Sequence, residues 1–140
     1  LFFDNAIRCV FVKPYSTLLR SLLHDGDTAK IDILEKPVQD VDLDLFATLS
    51  DGDILFIDSS HVCKIDSDVN HLLFNVLPCL KTGVLVHFHD ICYPFEYPKE
   101  WTYQRRAWNE AYPLRAFLQY NSAYEIVCFN SFLGCFYREV

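Results

Sequence analysis

The sequence contains no methionine, only 4 glycines and no apolar run of membrane-spanning length. No segment is rich in proline, serine or glutamine, which argues against disorder and flexible linkers. Crossing a bilayer takes roughly 18 to 20 consecutive apolar residues, so we expect a soluble protein that does not enter the membrane. Because the chain begins directly on the apolar Leu1, we also expect that a natural N-terminus lies upstream.

Basic charge is scarce as well, since 12 Lys and Arg residues stand against 19 Asp and Glu, for a formal net charge of -7. The only close basic pair, Arg105 and Arg106, lies among Trp and Tyr residues. A basic stripe that follows a phosphate backbone is therefore missing, which excludes nucleic acid as the expected partner. We expect a small-molecule substrate instead, and a homo-oligomer remains an open possibility.

The 6 cysteines form no C-x-x-C motif, and most of them lie inside apolar segments typical of core positions. Disulfide frameworks belong to small secreted chains with little core. With 51% hydrophobic residues this chain can build a core. The cysteines therefore predict a reduced, cytoplasmic protein.

Apolar segments of strand length alternate with segments of helical period, which is typical of a parallel sheet covered by helices on both faces. Strands are predicted at residues 7–12, 29–34, 54–57 and 84–87, and helices at residues 14–23, 41–49, 66–80 and 109–120. Segments 123–129 and 132–137 are predicted to form an antiparallel edge pair. The pattern indicates a single α/β domain over residues 1–140, with a Rossmann-like, mostly parallel sheet.

A long aromatic segment, residues 91–108, connects the fourth strand to the last predicted helix. Loops of this length inside compact domains are usually functional. The segment could close over a substrate as a lid or wall. Alternatively, its rings cover the sheet edge or mediate self-association.

Polar residues follow two of the predicted strands, at the edge where ligands collect in open α/β sheets. Asp58, Ser59 and His61 come after residues 54–57, and His89 and Asp90 come after residues 84–87. If the two strands are neighbours, Asp58, His89 and Asp90 converge in one cleft. Two carboxylates and an imidazole can bind a divalent metal in an open site.

Each of these residues also has a structural interpretation. A carboxylate after a strand is often a cap or turn former, and a histidine beside a strand is often a hydrogen-bonded core residue. Because an imidazole titrates near neutral pH, His61 or His89 could act as a general base. The sequence does not decide which of them does.

Four segments carry a resemblance to a known family: D-I-L-F-I-D-S-S-H at 53–61, L-K-T-G-V-L-V-H-F-H-D-I at 80–91, Y-P-F-E-Y-P-K-E-W at 93–101 and R-A-W-N-E-A-Y at 106–112. Together they resemble class I S-adenosylmethionine-dependent methyltransferases, in the small-molecule branch of macrocin O-methyltransferase and cephalosporin-hydroxylase-like proteins. The resemblance implies S-adenosylmethionine as cofactor. It also implies that the family's first strand and glycine-rich loop are absent from this N-terminally truncated chain.

The resemblance assigns cofactor-binding positions one by one. Lys13 falls where the family usually has an acid that grips the ribose hydroxyls, and Gln39 and Asp40 fall where the family contacts adenine. The resemblance also places Asp58 and Ser59 in the cofactor site.

Metal-dependent relatives hold magnesium at the positions of Asp58, His89 and Asp90. An imidazole at His89 accommodates manganese, iron or zinc more easily than magnesium, or leaves the site without metal.

The implied activity is methyl transfer to an oxygen or nitrogen of a small metabolite, catalysed mainly by positioning, with help from a base or metal. Two alternatives remain. One is a metal-dependent hydrolase or hydroxylase that uses the same cleft. The other is a degenerate, non-catalytic domain that binds a ligand or partner, which Lys13 and the missing glycine loop favour.

Overall fold

The computed structural model describes residues 7–137. Contacts between Cα atoms divide the chain into two compact units, the first ending at Asp42 and the second beginning at Leu43. Both units combine parallel strands with helical segments, as the alternating sequence pattern predicts. The chain is therefore an α/β protein. Within residues 7–137, no helix is long and apolar enough to cross a membrane.

The first unit is built on two parallel strands, β1 (Cys9–Val12) and β2 (Ile31–Leu34), with Cys9 opposite Ile31 and Val12 opposite Leu34. Helix α1 (Thr17–Leu22) and a 3₁₀ turn (Asp27–Ala29) connect them, and a second 3₁₀ turn (Val38–Asp40) follows β2. Both predicted strands are confirmed.

The second unit starts with helix α2 (Leu43–Ala47) and contains strands β3 (Ile54–Ile57) and β4 (Leu85–Phe88). The two strands pair in parallel, with Ile54 opposite Leu85 and Ile57 opposite Phe88. The prediction that these two strands are neighbours is confirmed. Consequently the residues that follow them lie at the same edge of this sheet.

The crossover from β3 to β4 is one helical segment with three geometries. It begins as α3 (Asp68–His71), continues as a π-helix (Leu72–Val76) and ends as a 3₁₀ turn (Leu77–Cys79). Pro78 has no N–H to donate to the preceding turn, which is consistent with the departure from α geometry near the end. The predicted helix at residues 66–80 is confirmed in extent.

The core of the second unit lies on one side of this crossover. Val69, Leu73 and Leu77 recur at four-residue spacing and pack with Leu114 of helix α5 (Ala111–Gln119). All four side chains are nearly or fully buried. Burial of each such side chain stabilises the fold by roughly 1.5–3 kcal/mol. Helix α4 (Lys99–Tyr103) lies within the aromatic segment between β4 and α5.

Two fold predictions are wrong. Residues 123–129 and 132–137 do not form an antiparallel pair, because residues 130–136 form helix α6 (Asn130–Phe136). Phe132 and Phe136, four residues apart, pack against each other with ring centroids 4.8 Å apart, and both rings contact Tyr93. Burial of β3 on both faces is not observed either, since Ile54 and Phe56 are 64% and 59% exposed.

Candidate functional site

The chain turns sharply after β3, and this turn buries His61. The backbone of His61 has a positive φ of 59°, and its N–H donates to the Ser59 hydroxyl at 2.9 Å. Only 6% of His61 is exposed. The turn therefore aims the imidazole into the protein at the carboxyl end of a strand, where ligands bind in α/β folds.

Glu110, immediately before helix α5, is the partner that His61 meets inside. Its Oε2 lies 2.9 Å from Nδ1 of His61, and its Oε1 accepts a 2.9 Å hydrogen bond from the Ser59 hydroxyl. Glu110 is 1% exposed. Burial raises the pKa of Glu110, while the hydrogen bonds from His61 and Ser59 act in the opposite direction. No pattern in the sequence predicted a role for this residue.

The other imidazole nitrogen of His61 faces the opposite way. Its Nε2 lies 3.6 Å from Oδ1 of Asp58, whose side chain is about half exposed. In the tautomer whose Nδ1–H donates to Glu110, the neutral ring keeps its lone pair on Nε2. In that tautomer, His61 is arranged as a base whose inner nitrogen is held by Glu110.

The aromatic segment covers this imidazole. The ring of Trp108 lies against His61 with centroids 4.1 Å apart, and Trp101 meets Trp108 edge to face at 5.0 Å. The guanidinium of Arg106 lies over both indoles, 4.7 Å from Trp101 and 4.9 Å from Trp108. These contacts place the aromatic segment over His61, and its use as a lid or substrate wall stays a prediction.

Hydrogen bonds join the end of the aromatic segment and the residues after it to the turn after β3. The N–H groups of Asn109 and Glu110 donate to the carbonyl of His61 at 2.9 and 3.3 Å. The Asn109 side chain accepts from the N–H of Cys63 at 2.6 Å and donates to its carbonyl at 3.2 Å. The Tyr97 hydroxyl accepts from the N–H of Ala111, and burial raises the pKa of Tyr97 to about 12.

The predicted metal site is not supported. His89 Nε2 lies 3.5 Å from Asp90 Oδ1, and Asp58 pairs with His61 instead. In the part of the chain from Ile7 to Tyr137, no three His, Cys, Asp or Glu side chains come together in a way that could hold a metal ion. Asp58 thus lies beside His61 and Asp90 beside His89, so the three predicted ligands do not share one site. The ring of His89 instead contacts Phe56 and His87, with centroids 5.8 and 6.0 Å away.

The remaining predicted cofactor positions belong to the first unit. Lys13 directly follows β1 and its N–H donates to the carbonyl of Leu34 at 3.0 Å, while Gln39 and Asp40 lie in the 3₁₀ turn after β2. An acid, Glu35, also follows β2. Hydrogen bonding to Ser16 lowers the pKa of Glu35. The roles of Lys13, Gln39 and Asp40 stay predictions.

Three glycines have a positive φ. Gly26 begins the 3₁₀ turn before β2, and Gly52 and Gly83 lie just before β3 and β4. A glycine-rich cofactor loop follows the carboxyl end of a strand, so none of these three residues belongs to one.

Comparison with known proteins gives one match. The family model described as a methyltransferase domain matches residues 4–91. No curated protein and no solved structure matches the chain. The matched region includes both parallel strand pairs, His61 and Asp58. It ends before the aromatic segment and Glu110, so the buried hydrogen bond joins a residue of the matched region to one outside it.

Proposed function

The chain belongs to the family of methyltransferase domains, and from this premise we propose that it transfers a methyl group to an oxygen or nitrogen of a small metabolite. This proposal rests on the buried pair of Glu110 and His61 at the end of β3. In this pair, His61 is a positioned base that can remove the proton of the methyl acceptor.

S-adenosylmethionine is the usual cofactor of this family, and when bound it supplies an activated methyl group. The carboxylate of Asp58 is suited to accept hydrogen bonds from the cofactor. A lysine such as Lys13 can only donate them. The Ser59 hydroxyl is already bonded to Glu110 and to the His61 backbone. We therefore assign Ser59 to holding His61 rather than to the cofactor.

His61 performs the proton transfer. Nε2 takes the proton of the acceptor hydroxyl or amine as that atom becomes a nucleophile, and the buried Glu110 carboxylate stabilises the resulting imidazolium. General base catalysis of this kind contributes about 10²–10⁴-fold to the rate. The ring of Trp108 packs on the imidazole and Glu110 holds its inner nitrogen, so the base is already positioned before the reaction.

The test uses the full-length natural protein, with calorimetry for S-adenosylhomocysteine binding and a methyl-transfer assay over a panel of hydroxylated and amino metabolites. His61→Asn is expected to lower kcat by about 100-fold or more. The exposed His24→Asn is the matched control and should leave kcat unchanged. Absence of S-adenosylhomocysteine binding contradicts the proposed function, and equal kcat in the two variants contradicts the base assignment alone.

A further inference from the structure

Arg106 is a cation held on two aromatic rings. Its guanidinium carbon lies 4.7 Å from the ring centroid of Trp101 and 4.9 Å from that of Trp108. The two indoles meet edge to face, so they form two walls of a corner. Because the guanidinium is planar and its five N–H donors point outward in its own plane, contact with ring faces leaves those donors available.

The backbone after helix α4 places Arg106 against the two indole rings. Helix α4 ends at Tyr103, and Arg105, two residues later, has a positive φ of 61°. The N–H of Arg105 donates to the carbonyl of Thr102 at 2.9 Å, and the N–H of Arg106 donates to that of Trp101 at 3.0 Å. These two bonds form a Schellman motif, in which the residue at the position of Arg106 packs on the residue at the position of Trp101. The guanidinium is thus preorganised by the helix end.

Within residues 7–137, no carboxylate forms an ion pair with this guanidinium. Of the arginines between Ile7 and Tyr137, Arg8 pairs with Asp32 and Arg20 pairs with Glu35, whereas no carboxylate of these residues lies within 4.0 Å of Arg106. The position therefore offers an anchored positive charge with unused donors.

The anchored charge lies close to the proposed base. His61 and Arg106 contact the same indole, Trp108, at 4.1 and 4.9 Å. These two distances limit the separation of the imidazole and the guanidinium to about 9 Å. The backbone bonds from Asn109 and Glu110 to the carbonyl of His61 tie the segment that carries Arg106 and Trp108 to the turn that carries the base.

We propose that the methyl acceptor is a carboxylate-bearing metabolite, and that Arg106 anchors its carboxylate while His61 faces its reacting hydroxyl or amine. This inference rests on the proposed function and names its substrate class. A guanidinium recognises a carboxylate by two parallel N–H···O bonds, which fix the orientation of the molecule as well as its position.

The carboxylate is a spectator in the reaction. The acceptor O–H or N–H bond breaks and its proton goes to Nε2 of His61. The acceptor atom bonds the methyl carbon, and the bond from that carbon to the sulfonium sulfur breaks with both electrons left on sulfur. The carboxylate is unchanged, so Arg106 acts in binding and orientation, and its loss affects KM more than kcat.

The test measures binding without methyl transfer. The full-length protein is titrated with aromatic and aliphatic hydroxycarboxylates, including para-hydroxybenzoate, and with the neutral carboxamide of each. At least one acid is expected to bind tenfold or more tightly than its amide. Arg106→Gln should abolish this preference. Arg106→Lys should keep part of it, because the charge remains while the two-bond geometry is lost. The adjacent Arg105→Gln is the matched control and should keep all of it.

Several outcomes overturn the proposal: equal affinity of every acid and its amide, an unchanged preference in Arg106→Gln, or an equal loss in Arg105→Gln. Tighter binding of tetramethylammonium to Arg106→Gln than to the natural protein, without any acid preference, instead assigns the two indoles to a cationic ligand. Because binding is read without S-adenosylmethionine, failure of the anchor is distinguishable from failure of methyl transfer, which the methyl-transfer assay reports separately.

Discussion

Glu110 controls which nitrogen of His61 carries the proton. In Glu110→Gln, the amide oxygen is expected to replace Oε1, because the Ser59 hydroxyl already accepts from the His61 N–H and needs an acceptor for its own proton. The amide NH₂ then donates to Nδ1, which moves the ring proton to Nε2 and removes the lone pair of the base. We expect kcat to fall by about 10²–10⁴-fold with the fold retained.

The matched control for this change is Glu96→Gln. Glu96 lies on the same aromatic segment and accepts a hydrogen bond from the Tyr112 hydroxyl at 2.6 Å, but it is exposed. Circular dichroism of both variants checks the fold, and a pH–rate profile checks the base. A Glu110→Gln enzyme with the kcat and pH profile of the natural protein would show that the tautomer of His61 is not set by Glu110.

Burial of Glu110 also makes stability depend on pH. Its folded-state pKa is raised above the ordinary value of 4.5, so the folded state favours the neutral acid. The stabilisation from this shift is complete below pH 4.5 and is lost as the pH rises through the raised pKa. Glutamine has no charge to lose. Denaturant unfolding from about pH 4 to about pH 7 should therefore show the natural protein losing stability relative to Glu110→Gln.

The sequence predicted one half of this pair. His61 was predicted because it follows the apolar run of residues 54–57 in a turn, which is a local feature of the sequence. Glu110 precedes a helix, where an acid is ordinarily explained by the helix dipole. Only the tertiary fold, which joins positions 49 residues apart, distinguishes a buried partner from an exposed acid.

At the scale of elements, the end of helix α4 is strained. Arg105 occupies the left-handed position of the Schellman motif that glycine normally fills. Arg105→Gly is expected to raise the free energy of unfolding by about 0.5–1 kcal/mol. Glycine relieves the backbone strain of the folded state, and this gain exceeds the cost of the higher conformational entropy that glycine gives the unfolded chain. Arg105→Ala keeps the strain and removes the same charge. Equal stability of the Gly and Ala variants in denaturant unfolding would rule out the backbone explanation.

The turns before β3 and β4 pack against each other through glycine. The N–H of Gly52 donates to the carbonyl of Gly83 at 3.0 Å, and their φ angles are +84° and +89°. A Cβ on Gly83 would overlap the carboxylate of Asp51 and lie 2.8 Å from its Cβ, whereas one on Gly52 meets nothing within 4 Å.

Gly83→Ala should therefore destabilise the protein by about 1–3 kcal/mol more than Gly52→Ala does. Both variants place alanine at a positive φ, but only the new Cβ at position 83 overlaps the Asp51 side chain. Thermal and denaturant unfolding measure the difference. The double variant Asp51→Ala, Gly83→Ala should recover most of it, and a failure to do so would contradict the steric explanation.

Strands and helices were predictable to different degrees. β3 and β4 are short apolar runs preceded by Asp-Gly and Thr-Gly turns, and their parallel pairing follows from the helical crossover between them. The error at residues 130–136 arises because a short aromatic run fits a strand and a helix equally well. Its helical state is accompanied by packing of Phe132 on Tyr93, a contact between distant positions that periodicity does not reveal.

At the scale of the whole molecule, the two units differ in how much core they bury. Among residues 7–42, Val41 is the only buried hydrophobic residue, whereas the other nine buried hydrophobic residues lie in the second unit. Local opening costs least where few apolar contacts are broken. Amides of β1 and β2 are therefore expected to exchange hydrogen about tenfold or more faster than those of β3 and β4. Native-state hydrogen exchange resolved by residue checks this, and equal protection would contradict it.

Trp101 and Trp108 are the two tryptophans of the chain, and both belong to the corner that holds Arg106 beside His61. All indole emission of these 140 residues therefore originates in this corner, and the ring of Trp108 lies 4.1 Å from that of the proposed base. An imidazolium quenches a neighbouring indole by electron transfer, and a neutral imidazole does so far less. Proton transfer to His61 is consequently expected to change the tryptophan fluorescence intensity of the unlabelled protein, so the proposed step can be followed without an added probe.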